Sequence, residues 1–270
     1  IESFGLWVEQ LIAESICKEG KGIIPIAGEP LVGSDYYSED RFFVFIRLRG
    51  DKNDALDKTM DLVARHGHPW IRLDIDEIYG LGSEFYRWEF AASIAGSILR
   101  VHPFNQPNVQ LSKDMTAAVL AERATSGKLD DFNSDYSLLD LMSQAKQGKY
   151  LAIMAYVPQT PAMDRALTQL RQRILVKHRI PVTLGYGPRF LHSTGQMHKA
   201  GPDNGLFLQI TAAQDYDLDI PGEDFTFGIL TQAQAIGDLR ALRSFNRPVS
   251  SINLVSGGKE DYNTIAHLPI

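Results

Sequence analysis

The chain has 270 residues, 44% of them hydrophobic and 22% charged, enough to bury a real core in one large or two modest α/β domains. A formal net charge of -6 offers no basic field for nucleic acid, and no apolar run reaches the length of a membrane span. The single cysteine, Cys17, excludes an internal disulfide and a thiolate metal cluster and fits a reducing, cytoplasmic compartment.

The chain opens at Ile1 with neither a methionine nor a signal-like pattern, which predicts a piece of something longer. Phe4, Trp7, Val8, Leu11 and Ile12 recur at helical spacing, so residues 4–17 read as an amphipathic helix. Residues 23–27 read as a short buried strand that delivers Gly28-Glu29-Pro30 to a tight turn. A glutamate there is either a general base or a solvated turn residue. Strands follow at 42–48 and 70–75, separated by a helix over 54–66. Strands alternating with helices of this length imply crossovers and a mainly parallel sheet.

From Ser83 the positions Phe85, Trp88, Ala91, Ala92, Ala95 and Leu99 give one helical face. Pro103 and Pro107 break that helix, Asn108 is an N-cap candidate, and a new helix runs from Val109 to about Ala124. Gln106 thus sits on a rigid turn and Lys113 about one helical turn into the helix beyond; by composition such a lysine is a solvated cation. Residues 125–135, polar and glycine-containing, make the best linker, dividing the chain into 1–125 and 136–270.

The second half repeats the theme: helix 138–145, strand 150–157, helix 163–176 entered through Thr160-Pro161, and strand 182–184. A polar loop then leads to a strand at 206–210, a helix over 227–242, a strand at 249–254 and a loose tail over 256–270. The loop gathers Arg189, His192, Ser193, Thr194, Gln196, His198 and Lys199. Cations, hydroxyls, an amide and imidazoles together suit an anionic, hydroxylated small molecule, although loops also collect such residues for solvation. Phe104-Asn105-Gln106-Pro107 parallels Phe245-Asn246-Arg247-Pro248, each after a helix, so the second domain reads as a related repeat of the first as readily as a coincidence. The remaining histidines, His66, His68, His102, His178 and His267, are scattered without metal-ligand spacing. No dinucleotide fingerprint or P-loop is present, so neither a metal nor a nucleotide cofactor is expected.

At Phe104 to Lys113 the run FNQPNVQLSK resembles the signature of glucose-6-phosphate isomerases, F-D-Q-x-G-V-E followed three residues later by lysine. Glu14-Ser15 with Lys18 resembles that family's E-S-x-G-K stretch, and Gly28-Glu29-Pro30 its G-E-P turn, in the same order. Residues 186–202 (YGPRFLHSTGQMHKAGP) and 224–242 are similar to the carboxyl-terminal isomerase part of bifunctional transaldolase/glucose-6-phosphate isomerases. Asn105, Asn108, Gln110 and Cys17 depart from the pattern, where the family has aspartate, glycine, glutamate and glycine.

The resemblance implies a doubly wound α/β fold of the sugar-isomerase (SIS) type and interconversion of glucose 6-phosphate and fructose 6-phosphate through an enediol. It implies Glu29 as base, Lys113 and His192 as catalytic partners, and Gln106, Arg189, Ser193, Thr194, Gln196, His198 and Lys199 as substrate-binding residues. It implies no cofactor, an upstream SIS half and a transaldolase domain as partners in the full-length chain, and room for a homo-oligomer. The rival expectation is a non-catalytic sugar-phosphate-binding or assembly module that needs the missing half.

Overall fold

The computed structural model describes residues 1, 3–129, 134–212, 217–254 and 259–270. In chain order it places α1 (Phe4–Ile16), β1 (Phe43–Leu48), α2 (Asp54–Arg65), β2 (Trp70–Ile75), α3 (Leu81–Leu99) and α4 (Val109–Ser126). There follow α5 (Leu138–Ser143), β3 (Tyr150–Tyr156), α6 (Pro161–His178), β4 (Val182–Tyr186), α7 (Gly195–Ala200), β5 (Gly205–Ala212), α8 (Phe227–Ser244), β6 (Val249–Leu254) and α9 (Lys259–Ala266). The protein is an α/β structure of parallel sheets flanked by helices, as its alternating pattern requires. Among the described residues no helix is long and apolar enough to cross a membrane.

The larger sheet has four parallel strands in the order β4-β3-β5-β6. Every residue of β3 and β5 is buried, as central parallel strands covered on both faces must be. Alternate residues feed two cores: Leu151, Ile153 and Ala155 meet α5, α6 and α9, while Tyr150, Ala152, Met154 and Tyr156 meet α1, α7 and α8. After β4 the chain crosses to the other side of β3, so the sheet's switch point lies between the carboxyl ends of β3 and β5. Helix α6 starts cleanly because Thr160 accepts a hydrogen bond from the Met163 N–H and Pro161 fills its first turn.

The smaller sheet pairs β1 with β2 in parallel, Phe43 opposite Trp70, over a modest core of Phe45, Met60 and Val63. Residues on both sides of the expected linker share one core: Ala13, Ile16, Cys17 and Val101 pack with Tyr150, Phe207 and Leu239. Residues 130–133 of that linker lie outside the described ones.

Three expectations need correction. Residues 23–27 form no strand: Pro25 has no N–H for a ladder and Ile23 is exposed. The polar loop over 189–199 is instead largely helical and enclosed, a 3₁₀ turn (Arg189–His192) and α7 burying most of it. The tail is not loose from 259 onward, where α9 and the chain end bury Ile265, Leu268 and Ile270. Arg173 ties that segment down by donating to the carbonyls of Ala266 and Leu268, and Lys177 donates to that of Ile270. Residues 256–258 of the expected tail lie outside the described residues. Of the two Phe-Asn segments, the first leads into α4 and the second into β6.

Candidate active site

Helix α1 carries Gln10 and Glu14 one turn apart beside its apolar face, Lys18 follows just past its end, and these three organise the polar contacts around them. Lys18, just past the helix end, is buried; its ammonium donates to the His102 carbonyl at 2.7 Å, to the Asn105 carbonyl, and to Asn105 Oδ1 at 3.1 Å. An ammonium so used is the strut that shapes the turn over 102–106. Burial lowers its pKa, partly offset by Cys17 and Glu14 nearby. The Cys17 thiol, fully buried and donating to the Ile23 carbonyl, is pushed up to about 12 by that burial and is inert as a nucleophile.

The shaped turn presents Gln106, whose Nε2 donates to Glu14 Oε2 at 2.9 Å. Glu14 is half-buried, and burial raises its pKa against the opposing effect of hydrogen bonds from Gln10 and Gln106 and the charge of Lys18. One turn earlier, Gln10 Nε2 donates to the His192 carbonyl at 3.0 Å, leaving the exposed imidazole outside. Gln196, buried on α7, closes the group: its Oε1 accepts from the Asn108 N–H at 3.3 Å and its Nε2 donates to the Cys17 carbonyl at 3.5 Å. Helix α4, whose start is held this way, carries Lys113 on its exposed side. Asn108 stands at the N-cap position without a side-chain cap bond.

Glu29 stands elsewhere. Gly28, at φ +59, makes the turn that aims it inward. Its Oε2 accepts from Arg41 Nη1 at 3.0 Å, its Oε1 from the Val182 N–H at 2.8 Å, and its side chain is only 9% exposed. Arg171 completes this corner, donating to the carbonyls of Ala27, Gly28 and Val182. Val182 opens β4, whereas His192 follows its carboxyl end; the strand alone spans about 13 Å at 3.3 Å per step. No contact among the described residues joins Glu29 to Gln106, Lys113 or His192.

The other loop residues divide by burial. Arg189 is exposed beside His192, and Ser193 Oγ donates to the Phe190 carbonyl at 3.2 Å. Thr194 is buried and its carbonyl accepts from the His198 N–H. His198 lies between Phe190 and Phe207, with ring centroids 5.8 and 5.4 Å away and neither ring nitrogen partnered. Burial, aided by Lys199 and Arg247, drives its pKa down to about 3, so it is neutral at any physiological pH. Lys199 is equally enclosed, with Nζ 2.9 Å from Asp238 Oδ1 and both side chains buried. Its charge is already matched inside the fold.

The structure therefore brings together Gln106, Gln196 and the His192 backbone around α1, keeps Lys113 and Arg189 at the surface, and packs Thr194, His198 and Lys199 inward. The carboxylate at the centre of the group is Glu14, which sequence reasoning did not place in the site. Its signal was the i, i+4, i+8 run of Gln10, Glu14 and Lys18.

No family model matches the chain. Over 155 residues, 44% of this chain, it is 30% identical to 34% of the glucose-6-phosphate isomerase of Clostridium tetani. Over 160 residues, 46% of this chain, it is 27% identical to 36% of a probable glucose-6-phosphate isomerase of Haloarcula marismortui. Under half of the chain is thus related to glucose-6-phosphate isomerases, and the match spans about a third of those relatives' length. A crystal structure of a hypothetical protein from Thermus thermophilus superposes on 97% of this chain and 72% of its own, at 12% identity and a TM-score of 0.39.

Proposed function

We propose that the chain carries part of the active site of an aldose-ketose isomerase interconverting glucose 6-phosphate and fructose 6-phosphate. The observation that carries this reading is the bond from Gln106, in the isomerase-like turn, to the half-buried, raised-pKa carboxylate of Glu14. Moving a proton between C2 and C1 through an enediol needs a base against that edge of the sugar, a donor for the ring oxygen and a phosphate clamp. As proposed, it needs neither metal nor redox cofactor.

Glu14 takes the base role: it is anchored by amides rather than neutralised by a guanidinium, and its pKa is displaced toward neutrality. Glu29, which the resemblance nominates, has both oxygens engaged and holds the 27–30 turn against β4. Gln106 orients a substrate hydroxyl, exposed His192 exchanges the ring-oxygen proton, and Lys113 and Arg189 supply positive charge for the enediolate and phosphate. Gln196 holds the turn in place, and Ser193, Thr194, His198 and Lys199 shape the loop that bears His192. In this reading the chain is the carboxyl-terminal portion of a longer cytoplasmic isomerase of the transaldolase-fused type, whose upstream half adds phosphate contacts.

Turnover of fructose 6-phosphate, with Glu14→Gln and Glu29→Gln compared side by side, tests the assignment. Glu14→Gln is expected to lose about 10²–10⁴-fold in kcat while retaining the melting shift given by the sugar phosphate. Glu29→Gln is expected to keep kcat and lose stability. The reverse pattern would move the base to Glu29. Absence of both turnover and a ligand-induced melting shift would remove the isomerase reading, whereas a shift without turnover would leave the binding-module rival.

A further inference from the structure

Helix α6 turns Leu167, Leu170 and Ile174 into the core and presents two adjacent rows outward. Gln169, Arg173 and Lys177 stand at i, i+4, i+8 in one row, with Gln172 and Val176 beside them in the other. Where α9 and the residues after it pack on this helix, a cavity of about 530 Å³ opens between the two rows and Ala266 and His267. That volume lies within the roughly 300–1,000 Å³ of small-molecule sites.

The two cations of the cavity are held in place without being neutralised. Arg173 gives one N–H of each terminal nitrogen to the carbonyls of Ala266 and Leu268, and Lys177 gives one to that of Ile270. A guanidinium carries five donors and an ammonium three, so both retain donors after these bonds. Backbone carbonyls bear no net charge, and no acidic side chain lines the cavity among the described residues. The Lys177 charge is felt next door, where it adds to burial in lowering the pKa of His178. His267 Nδ1 lies 2.8 Å from the Asn263 carbonyl, which makes that nitrogen the donor and leaves Nε2 for other contacts. In a chain of net charge -6 these groups form a local cationic site.

We propose that this cavity is a second ligand site, one that takes the phosphate monoester of a small hydroxylated molecule. Arg173 and Lys177 match the phosphate, the amides of Gln169 and Gln172 and the His267 imidazole meet hydroxyls, and Val176 backs the carbon skeleton. Cations already fixed by the fold bind with less loss of side-chain freedom than mobile ones. The site is separate from the one around Glu14: α6 covers the sheet face opposite α1, α7 and α8. It also lies toward the other end of the strands, since Lys177 comes shortly before Val182 opens β4, whereas His192 follows the carboxyl end of that strand.

Isothermal titration calorimetry with glycerol 3-phosphate, and with glycerol as the uncharged control, tests this. Lys113→Gln/Arg189→Gln serves as the background, because it removes the exposed cations of the proposed isomerase site. One site per chain is expected for the phosphate ester and no heat for glycerol. Adding Arg173→Gln should weaken binding roughly 10- to 100-fold, as loss of a hydrogen bond to a charged group does. Because Arg173 also tethers the chain end, Gln169→Glu is the companion variant: it leaves those tethers alone and sets a carboxylate one turn from the guanidinium. It too should weaken binding at least tenfold, with unchanged circular dichroism. No heat from the ester at millimolar concentration overturns the proposal. Binding that a folded Gln169→Glu variant leaves unchanged overturns it as well, because the phosphate then sits elsewhere. None of these readouts depends on turnover, so the isomerase reading and this one fail separately.

Discussion

Glu9 offers a direct test of how burial sets the chemistry along α1. Its side chain is 8% exposed, its Oε1 accepts from the Ala27 N–H at 3.1 Å, and burial raises its pKa from 4.5 to about 7 against the opposing effects of that bond and the Arg171 charge. The folded state therefore holds a proton that the unfolded chain releases near 4.5, so stability falls as pH rises between 4.5 and 7. Below 4.5 the contribution is fully present; above 7 it is gone. The displacement corresponds to about 3 kcal/mol. Glu9→Gln keeps an oxygen for the Ala27 N–H and removes the titration. Urea unfolding of parent and variant at intervals from about pH 4.5 to 8 should show the variant gaining about 3 kcal/mol relative to the parent across that window. Parallel profiles would mean that Glu9 is solvated or ion-paired, and the burial argument for α1 would fail with it.

Three further outcomes follow from the same geometry. Lys199→Met strands Asp238 as a buried unpaired charge and should cost about 3–5 kcal/mol, with Lys199→Met/Asp238→Leu recovering most of it by thermal melts; no recovery would mean the pair is not what the site depends on. A Cβ at Gly187 would stand 2.5 Å from the Tyr156 ring, so Gly187→Ala should cost about 1–3 kcal/mol, read by denaturant midpoint, and displace the turn that bears His192. Because a general base works only when ionised, the acid limb of kcat/KM should rise with pH through a value above the ordinary 4.5 of a glutamate, and Glu14→Gln should abolish that limb.

The regular elements were legible where local signals agreed. FVFIRL and WIRLDI are β-rich runs between polar breaks, and Thr160-Pro161 announces α6 by its own chemistry. What failed had a local cause in one place and a tertiary cause in two. The run over 23–27 has strand composition, yet Pro25 cannot donate to a ladder. Helix α7 is six residues of mixed polarity, and its burial depends on Asp238 of α8, 39 residues beyond Lys199 in the chain. Helix α9 is short and starts among polar residues, and what marks it is the spacing of Tyr262, Ile265 and Leu268 against α6.

The candidate site was legible as motifs and illegible as geometry. Glu14 and Glu29 both lie in family-like stretches, and neither is fully exposed, so motif alone does not separate them. Their partners do. At Glu29 both oxygens are already engaged, one by the Arg41 guanidinium and one by the Val182 N–H, so neither is free to meet a substrate. At Glu14 hydrogen bonds from Gln10 and Gln106 fix the position, and burial raises the pKa against those bonds and the charge of Lys18. Proton shuttling needs both forms within reach near neutral pH. Under the proposed isomerase reading, Glu14 is therefore the carboxylate placed to take a proton from C2 and return it at C1.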